Sequence, residues 1–252
     1  MNEALTGVKI KSLYKALMVL DCFQLEYEMG VTQISERLGL YKSNVYDILT
    51  TLEVGGYVEK NPQTGKYHLG LHILELSHVI TSAMGFRKTI YPHMQNLASE
   101  LGETVYLGIP DGADVLYLDG AYPAQMLGPR AMLGDRAPMY CTSLGKAMLS
   151  YMPEERWNEL VPERLERFTN QTVVDREELF ENLRQFRQMG YSVDNMEHEY
   201  GITCVGVAIL GAHGMPVAAI SISGPSPRFD DSHIQVYAVR LKSVADKLGH
   251  FF

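Results

Sequence analysis

The chain has 252 residues, enough for two domains that each bury a core of their own. Hydrophobic residues make up 46 % and charged ones 21 %, as in ordinary globular proteins, and no apolar run reaches the roughly 18 residues of a membrane-spanning helix. Net charge is -8, which argues against a nucleic-acid binder, but residues 1–70 hold seven Lys+Arg against eight Asp+Glu, so the acidity lies mainly downstream.

Cys22, Cys141 and Cys204 are odd in number and far apart, which excludes both a disulfide framework and a zinc-finger spacing. The N-terminus lacks the basic-then-apolar layout of a signal peptide, so the expected location is cytoplasmic, with no membrane partner. Lys11 to Phe23 predicts a scaffold helix, with Ser12 as cap and Leu13, Ala16, Leu17 and Leu20 on its packing side. An acidic loop, Gln24 to Gly30, follows.

Val31 to Gly70 carries the most information. Two short helices meet there at a tight turn, and a hairpin comes next. Thr32 predicts the first cap, Ile34 and Leu38 lie one helical step apart, and Gly39 supplies a left-handed end. In the second helix Val45, Ile48, Leu49 and Leu52 form one apolar stripe. The opposite face centres on Ser43 and Asp47, flanked by Asn44, Tyr46, Thr50 and Thr51, with Lys42 at the helix start. Short hydrogen-bonding side chains of this kind suit base edges and phosphates in the major groove of double-stranded DNA. Val58 to Lys60 and Lys66 to Leu69 then flank an Asn61–Gly65 turn, a hairpin with Lys60 and Lys66 at its rim that reads as a wing. Thr32, the polar face and these two lysines are the candidate DNA contacts; the competing reading is a small helical subdomain whose hairpin only packs.

Leu71 to Ala83 is helical in pattern and connects to a second helix, Phe86 to Leu101, after Gly85. His78 and His93 read as half-buried helix residues, since no Cys, Asp or Glu accompanies them at metal spacing; no metal or cofactor is expected. From Glu103 the period changes to two, predicting strands at Thr104–Pro110, Val115–Ala121, Tyr191–Asp194, Thr203–Leu210 and Val217–Ser223, with a third irregular strand at Ala124–Leu133. Helices are predicted at Ser143–Tyr151, Glu154–Val161, Arg176–Met189 and Asp230–Leu248. The fold class is α+β, an antiparallel sheet with helices on its faces.

Two segments read as site material. From Pro138 to Ala147 an extended chain becomes a helix capped by Thr142 or Ser143, and such a start favours a carboxylate or phosphate; ordinary capping explains it equally well. From Gly190 to Cys204 a polar loop joins two apolar strands, with Asp194 ending one and Cys204 beginning the other, and Ser221 and Ser223 share a strand face downstream. The competing reading is a solvated acidic loop.

The chain resembles the IclR family of transcriptional regulators over nearly its full length. The matching stretches are SLYKAL, SERLGLYKSNVYDILTTLEVGGYVEK, TGKYHLG, PMYCTSLGKAML, GYSVDNMEHEYGITCVGVAI and AISISGP. The resemblance implies a winged helix-turn-helix over 1–70, a helical linker over 71–85 and a GAF-like effector-binding domain over 86–252. It further implies homodimers or dimers of dimers that repress or activate catabolic operons by binding operator DNA.

In such a domain the backbone N–H groups of Ser143 and Leu144 would grip a small organic acid. Asp194, Ile202, Cys204, Ser221 and Ser223 would surround it, Met126 and Ala137 would form an apolar wall, and Tyr140 and Cys141 would tune the size. The hydroxyl-bearing lining favours a sugar-derived keto acid over an aromatic acid, and a repressor is the expected sign of regulation. Two positions depart from many relatives: Asp47 stands where they carry Arg, and Tyr41 where they carry Pro or Ser. An acid at the centre of the face repels phosphate but can accept from a cytosine amino group.

Two other functions compete with regulation. One is a hydrolase with Cys141 or Ser143 as nucleophile and His198 as base, although no elbow motif surrounds either nucleophile. The other is a redox sensor built on Cys141 and Cys204, neither of which has a basic cluster beside it.

Overall fold

A computed structural model of the chain describes residues 7–83, 85–123 and 132–249. The chain divides into two units, residues 1–84 and 85–252.

In the first unit α1 (Lys11–Asp21) runs into one turn of 3₁₀ helix at Cys22–Gln24. Its buried face is Val19, continued by Cys22 and Phe23, whereas Leu13 and Leu17 are 55 % and 50 % exposed. The expected packing stripe is therefore corrected: only Leu20 of its leucines packs on the core. The cap also moves, because the helix starts after Ile10 with no side-chain cap and Ser12 is already inside it.

Helix α2 (Val31–Leu38) starts one residue earlier than Thr32 predicts. Gly30 enters in an extended conformation and its N–H donates to Gln33 Oε1 at 2.9 Å, so Thr32 is an exposed second residue of the helix rather than its cap. Gly39 ends α2 at φ 63°, and the Ser35 hydroxyl closes the turn onto the Leu40 carbonyl at 2.6 Å. Helix α3 (Lys42–Val54) then buries Val45 and Leu49 completely, against Ile34, Met29 and Val58. Strands β1 (Val58–Lys60) and β2 (Tyr67–Leu69) pair antiparallel, and Met29 joins them by two backbone hydrogen bonds with Tyr67, each 2.9 Å. Helix α4 (His72–Ala83) follows, with His78 exposed rather than half-buried.

The second unit begins with α5 (Gly85–Leu101) and holds a six-stranded antiparallel sheet in the order β5-β4-β3-β8-β7-β6. These strands are β3 (Thr104–Asp111), β4 (Asp114–Ala121), β5 (Arg136–Pro138), β6 (Ser192–Asn195), β7 (Ile202–Leu210) and β8 (Pro216–Pro225). Strand β5 was not anticipated. Most of the expected irregular strand, including Met126, lies outside the described residues.

Alternation sorts the sheet residues onto two cores. Val105, Leu107, Val205, Val207, Ile220 and Ile222 pack with α5 and α9 (Asp231–Leu248) on one face. Tyr106, Tyr117, Ala208 and Ala219 pack on the other with α6 (Ser143–Tyr151) and α8 (Arg176–Met189). Helix α7 (Glu154–Leu160) seals the second core through Trp157, whose indole N–H donates to the Leu149 carbonyl at 2.7 Å. Among the described residues no helix is long and apolar enough to cross a membrane.

Every residue of α6 but the last is buried, and its start lies directly on β7. Gly206 makes this possible, because a Cβ there would stand 2.5 Å from the Ser143 carbonyl oxygen. Gly206→Ala should push α6 off the sheet at a cost of about 1–3 kcal/mol. Thermal unfolding should register this as a fall of roughly 2–4 °C per kcal/mol, and an unchanged midpoint would show that the contact is dispensable.

Candidate functional site

Two groups of residues meet the sequence expectations, one in each unit. In the first unit, burial of Val45 and Leu49 turns the opposite face of α3 outward, leaving Lys42, Ser43, Asn44, Tyr46 and Asp47 exposed. Thr50 is half-buried and its hydroxyl donates to the Tyr46 carbonyl at 2.9 Å; Thr51 does the same to Asp47 at 2.8 Å. Both hydroxyl protons are thus engaged within the helix, and these side chains face outward as acceptors.

Lys60 is exposed, with its ammonium 5.5 Å from the centre of the Tyr67 ring, and Lys66 is half-buried. Between them the Asn61 side chain accepts the Gln63 N–H at 2.9 Å and donates to Glu28 Oε1 at 2.6 Å, while the Thr64 hydroxyl donates to Glu28 Oε2 at 3.1 Å. Glu28 therefore clamps the wing tip. It lies 33 residues from Asn61 in sequence, so no local pattern marks it.

In the second unit the strand register assembles polar rows beneath the start of α6. Thr104, Ser223, Cys204 and Asp194 lie opposite one another across β3, β8, β7 and β6; Tyr106, Ser221, Gly206 and Ser192 form the next row. Ser192 Oγ donates to the Ser143 carbonyl at 2.6 Å, fastening the helix start to the sheet. The Thr142 hydroxyl caps α6 by accepting the Gly145 N–H at 3.2 Å, and the first backbone bond of the helix runs from Lys146 N to the Thr142 carbonyl. The amides of Ser143 and Leu144 are left with no acceptor inside the helix.

Beside this helix start lies a small, partly open cavity of about 30 Å³. Of the expected residues Ser143, Asp194, Ile202, Cys204, Ser221 and Ser223 line it, together with the capping Thr142. Tyr106, Tyr117, Met132, His198 and Glu199 line it too and were missed. The period-two rule places Tyr106 on the face of its neighbours, yet only the register shows that this face meets α6.

Ala137, Tyr140, Cys141 and Leu144 are buried in the packing and do not line the cavity. The Tyr140 hydroxyl donates instead to the Glu166 carbonyl at 2.8 Å, and the Cys141 thiol points to the Pro138 carbonyl at 3.8 Å. Among the described residues no group of three or more His, Cys, Asp or Glu side chains could hold a metal ion.

The electrostatics follow from burial. Burial pushes the Asp194 carboxyl up to about 7, with the nearby Lys146 ammonium opposing the rise, Glu197 adding to it, and the N–H groups of Glu197 and His198 opposing it. Lys146, 2 % exposed, pairs with Glu197 inside the fold and lies 5.4 Å from the Phe186 ring centre. Among the described residues Glu197 Oε2 has no hydrogen-bond partner. The loop carrying Glu197 is tied down by Thr169 and Thr172, whose hydroxyls donate to the carbonyls of Met196 and Glu197 at 2.6 and 2.7 Å, and Met196 holds a left-handed φ of 58°. Burial also drives the thiols of Cys141 and Cys204 well above their ordinary range, which removes the thiolate that a nucleophile or peroxide sensor needs.

The family model for the IclR helix-turn-helix domain matches residues 12–62, and that for the bacterial transcriptional regulator IclR C-terminal region matches residues 78–250. The HTH-type transcriptional regulator XynR of Escherichia coli is 32 % identical over 235 residues, covering 92 % of this chain and 93 % of the relative. The transcriptional repressor IclR of the same organism is 28 % identical over 244 residues, covering 95 % and 89 %. An IclR homolog from Microbacterium hydrocarbonoxydans, solved as a complex with 4-hydroxybenzoate, superposes with a TM-score of 0.80 at 23 % identity, covering 94 % of this chain and 98 % of that one.

The raised Asp194 carboxyl binds its proton more tightly in the folded state than the ordinary 3.8 of the free side chain. Its contribution to stability is complete below about 3.8 and is lost as pH rises through about 7. Asp194→Asn should therefore gain stability relative to the parent from about pH 4 to about pH 7 and level off above. Thermal unfolding across that range checks it, and a pH-independent difference would refute the shift.

Proposed function

Because the chain belongs to the IclR family of transcriptional regulators, we propose that it is a metabolite-responsive repressor of a catabolic operon, relieved by a small organic acid such as a sugar-derived keto acid. It is a DNA-binding regulator and not an enzyme. In this reading residues 1–70 are the DNA-binding head, 71–85 a helical connection and 86–252 the sensor, acting in the cytoplasm as a homodimer or dimer of dimers.

The observation that carries the sensing half is the cavity itself, where the start of α6 at Ser143 meets buried Asp194, Ser221 and Ser223. Helix-start amides grip a carboxylate, and the serines and Asp194 read the groups beyond it. The relative's name as a repressor supports the sign of regulation, and the 4-hydroxybenzoate complex supports an organic acid as the ligand class.

The duplex is read by Ser43, Asn44, Tyr46 and Asp47, with Thr50 as an acceptor and Lys42, Lys60 and Lys66 on phosphates. Thr32, exposed near the start of α2, contacts the backbone in this reading. An effector changes this only by binding two arrangements of the paired heads unequally.

Retardation of operator DNA that is released by an organic acid, with no turnover of that acid, is the expected behaviour; release by none of a broad acid panel would overturn the sensing half. A ligand at about 100 times its dissociation constant adds about 2.7 kcal/mol of stability, so thermal shift ranks the panel.

Asp47→Ala should relax base preference at one operator position, read by selection from a randomised site, while leaving the salt dependence intact. Lys42→Ala should weaken binding to all sequences and reduce the salt slope by about 1. A changed slope for Asp47→Ala, or an unchanged one for Lys42→Ala, would reverse these assignments.

A further inference from the structure

Helix α3 begins with a residue whose side chain does nothing for the helix. Tyr41 stands at its N-cap with an extended backbone, φ -65° and ψ 141°, where Ser, Thr, Asp or Asn would bond a free N–H of the first turn, yet its side chain makes no cap hydrogen bond. The residue is 82 % exposed, and among the described residues its side chain has no hydrogen-bond or ring partner. Tyr27, equally open at 81 %, stacks on His68 with ring centres 5.7 Å apart. The backbone at Tyr41 is held on both sides. The Ser35 hydroxyl donates to the Leu40 carbonyl at 2.6 Å just before it, and the Tyr41 carbonyl accepts the Val45 N–H at 3.1 Å. An aromatic ring on a fixed backbone, packed against nothing in its own unit, thus heads the exposed face that continues through Lys42, Ser43 and Asn44.

We infer that Tyr41 is a specificity-determining residue for DNA, its ring packing on the 5-methyl group of one thymine in each half-site. The inference rests on the preceding reading of α3 as the helix that reads the duplex. The N-terminal residues of a recognition helix meet base edges, so a ring at the N-cap enters the major groove with them. The apolar group that the bases present there is the thymine methyl. A phosphate contact would engage the tyrosine hydroxyl alone and leave the ring in water, whereas a methyl contact takes apolar ring surface out of water. In that reading Lys42, next in the chain, already brings a charge to the phosphates and leaves the ring for the bases.

The full chain is first used to select its preferred duplex from a randomised site. Each thymine of that duplex is then replaced in turn by deoxyuridine, which removes the 5-methyl group and nothing else. One thymine per half-site should prove sensitive, its replacement weakening binding by about fivefold, and the Tyr41→Phe variant, which keeps the ring, should show the same loss. Tyr41→Ser removes the ring and supplies a good cap. It should bind the thymine and uracil duplexes equally at that position, with the parent's salt dependence and an unfolding midpoint no lower than the parent's.

A duplex in which no thymine is sensitive to loss of its methyl, or a sensitive thymine that stays sensitive in Tyr41→Ser, overturns the inference and leaves α3 as the reading helix. Weaker binding of Tyr41→Phe to every sequence would place the hydroxyl on phosphate, and a lower unfolding midpoint for Tyr41→Ser would show that the ring packs within the protein; either overturns the inference. Selection that enriches no sequence overturns the reading of α3 and the inference with it.

Discussion

The second unit depends on one close approach: the Ser143 carbonyl resting on the backbone of β7 where residue 206 has no side chain. That contact sets the start of α6 against the polar rows of the sheet. Ser192 reaches the same carbonyl from the neighbouring strand, so the helix start is held from two strands at once. Gly145 plays the matching part on the far side of the helix, where a Cβ would collide with the Met139 backbone. A helix free to slide by a fraction of its diameter would no longer present its first amides to the row that contains Asp194, and groups of this kind function only when their positions are held closely.

The buried Lys146–Glu197 pair is a second layer of the same construction. It links α6 to the loop that follows β6, and so joins the helix start to the segment carrying His198 and Glu199. Taking two charges out of water is costly, and the pair compensates for this only through close contact; removing one partner from such a pair typically costs about 3–5 kcal/mol. Glu197 Oε2, without a hydrogen-bond partner among the described residues, and the left-handed Met196 add to the strain in this segment, which the hydroxyls of Thr169 and Thr172 hold in place.

Much of this was legible in the sequence wherever a local chemical signal existed. Helices Ser143–Tyr151 and Arg176–Met189 were read to the residue, because Thr142 and Asp175 cap them and Gly190 ends the second at φ 75°. Gly39 likewise ended α2, and alternation put Ser221 and Ser223 on the face they occupy. What was missed depends on partners distant in sequence. A helical stripe tells that Leu13 and Leu17 share a side but not that Val19 faces the core. Strand β5 is three residues long and exists through its pairing with β4. Tyr106 and Tyr117 enter the cavity through strand register, and Tyr140 and Cys141 leave it because one 3₁₀ turn rotates them into the packing.

The clamp on the wing also has an entropic side. Asn61 and Thr64 are tied to Glu28, and Met29 extends the hairpin by a third chain, so the tip is ordered within its own unit. Fixing a residue's backbone costs about 1–2 kcal/mol, and a limp tip would lose that freedom on contact with a duplex. A tip stiffened in advance does not subtract this from the association free energy, so in the proposed reading a hairpin carrying two lysines can still contribute to holding DNA.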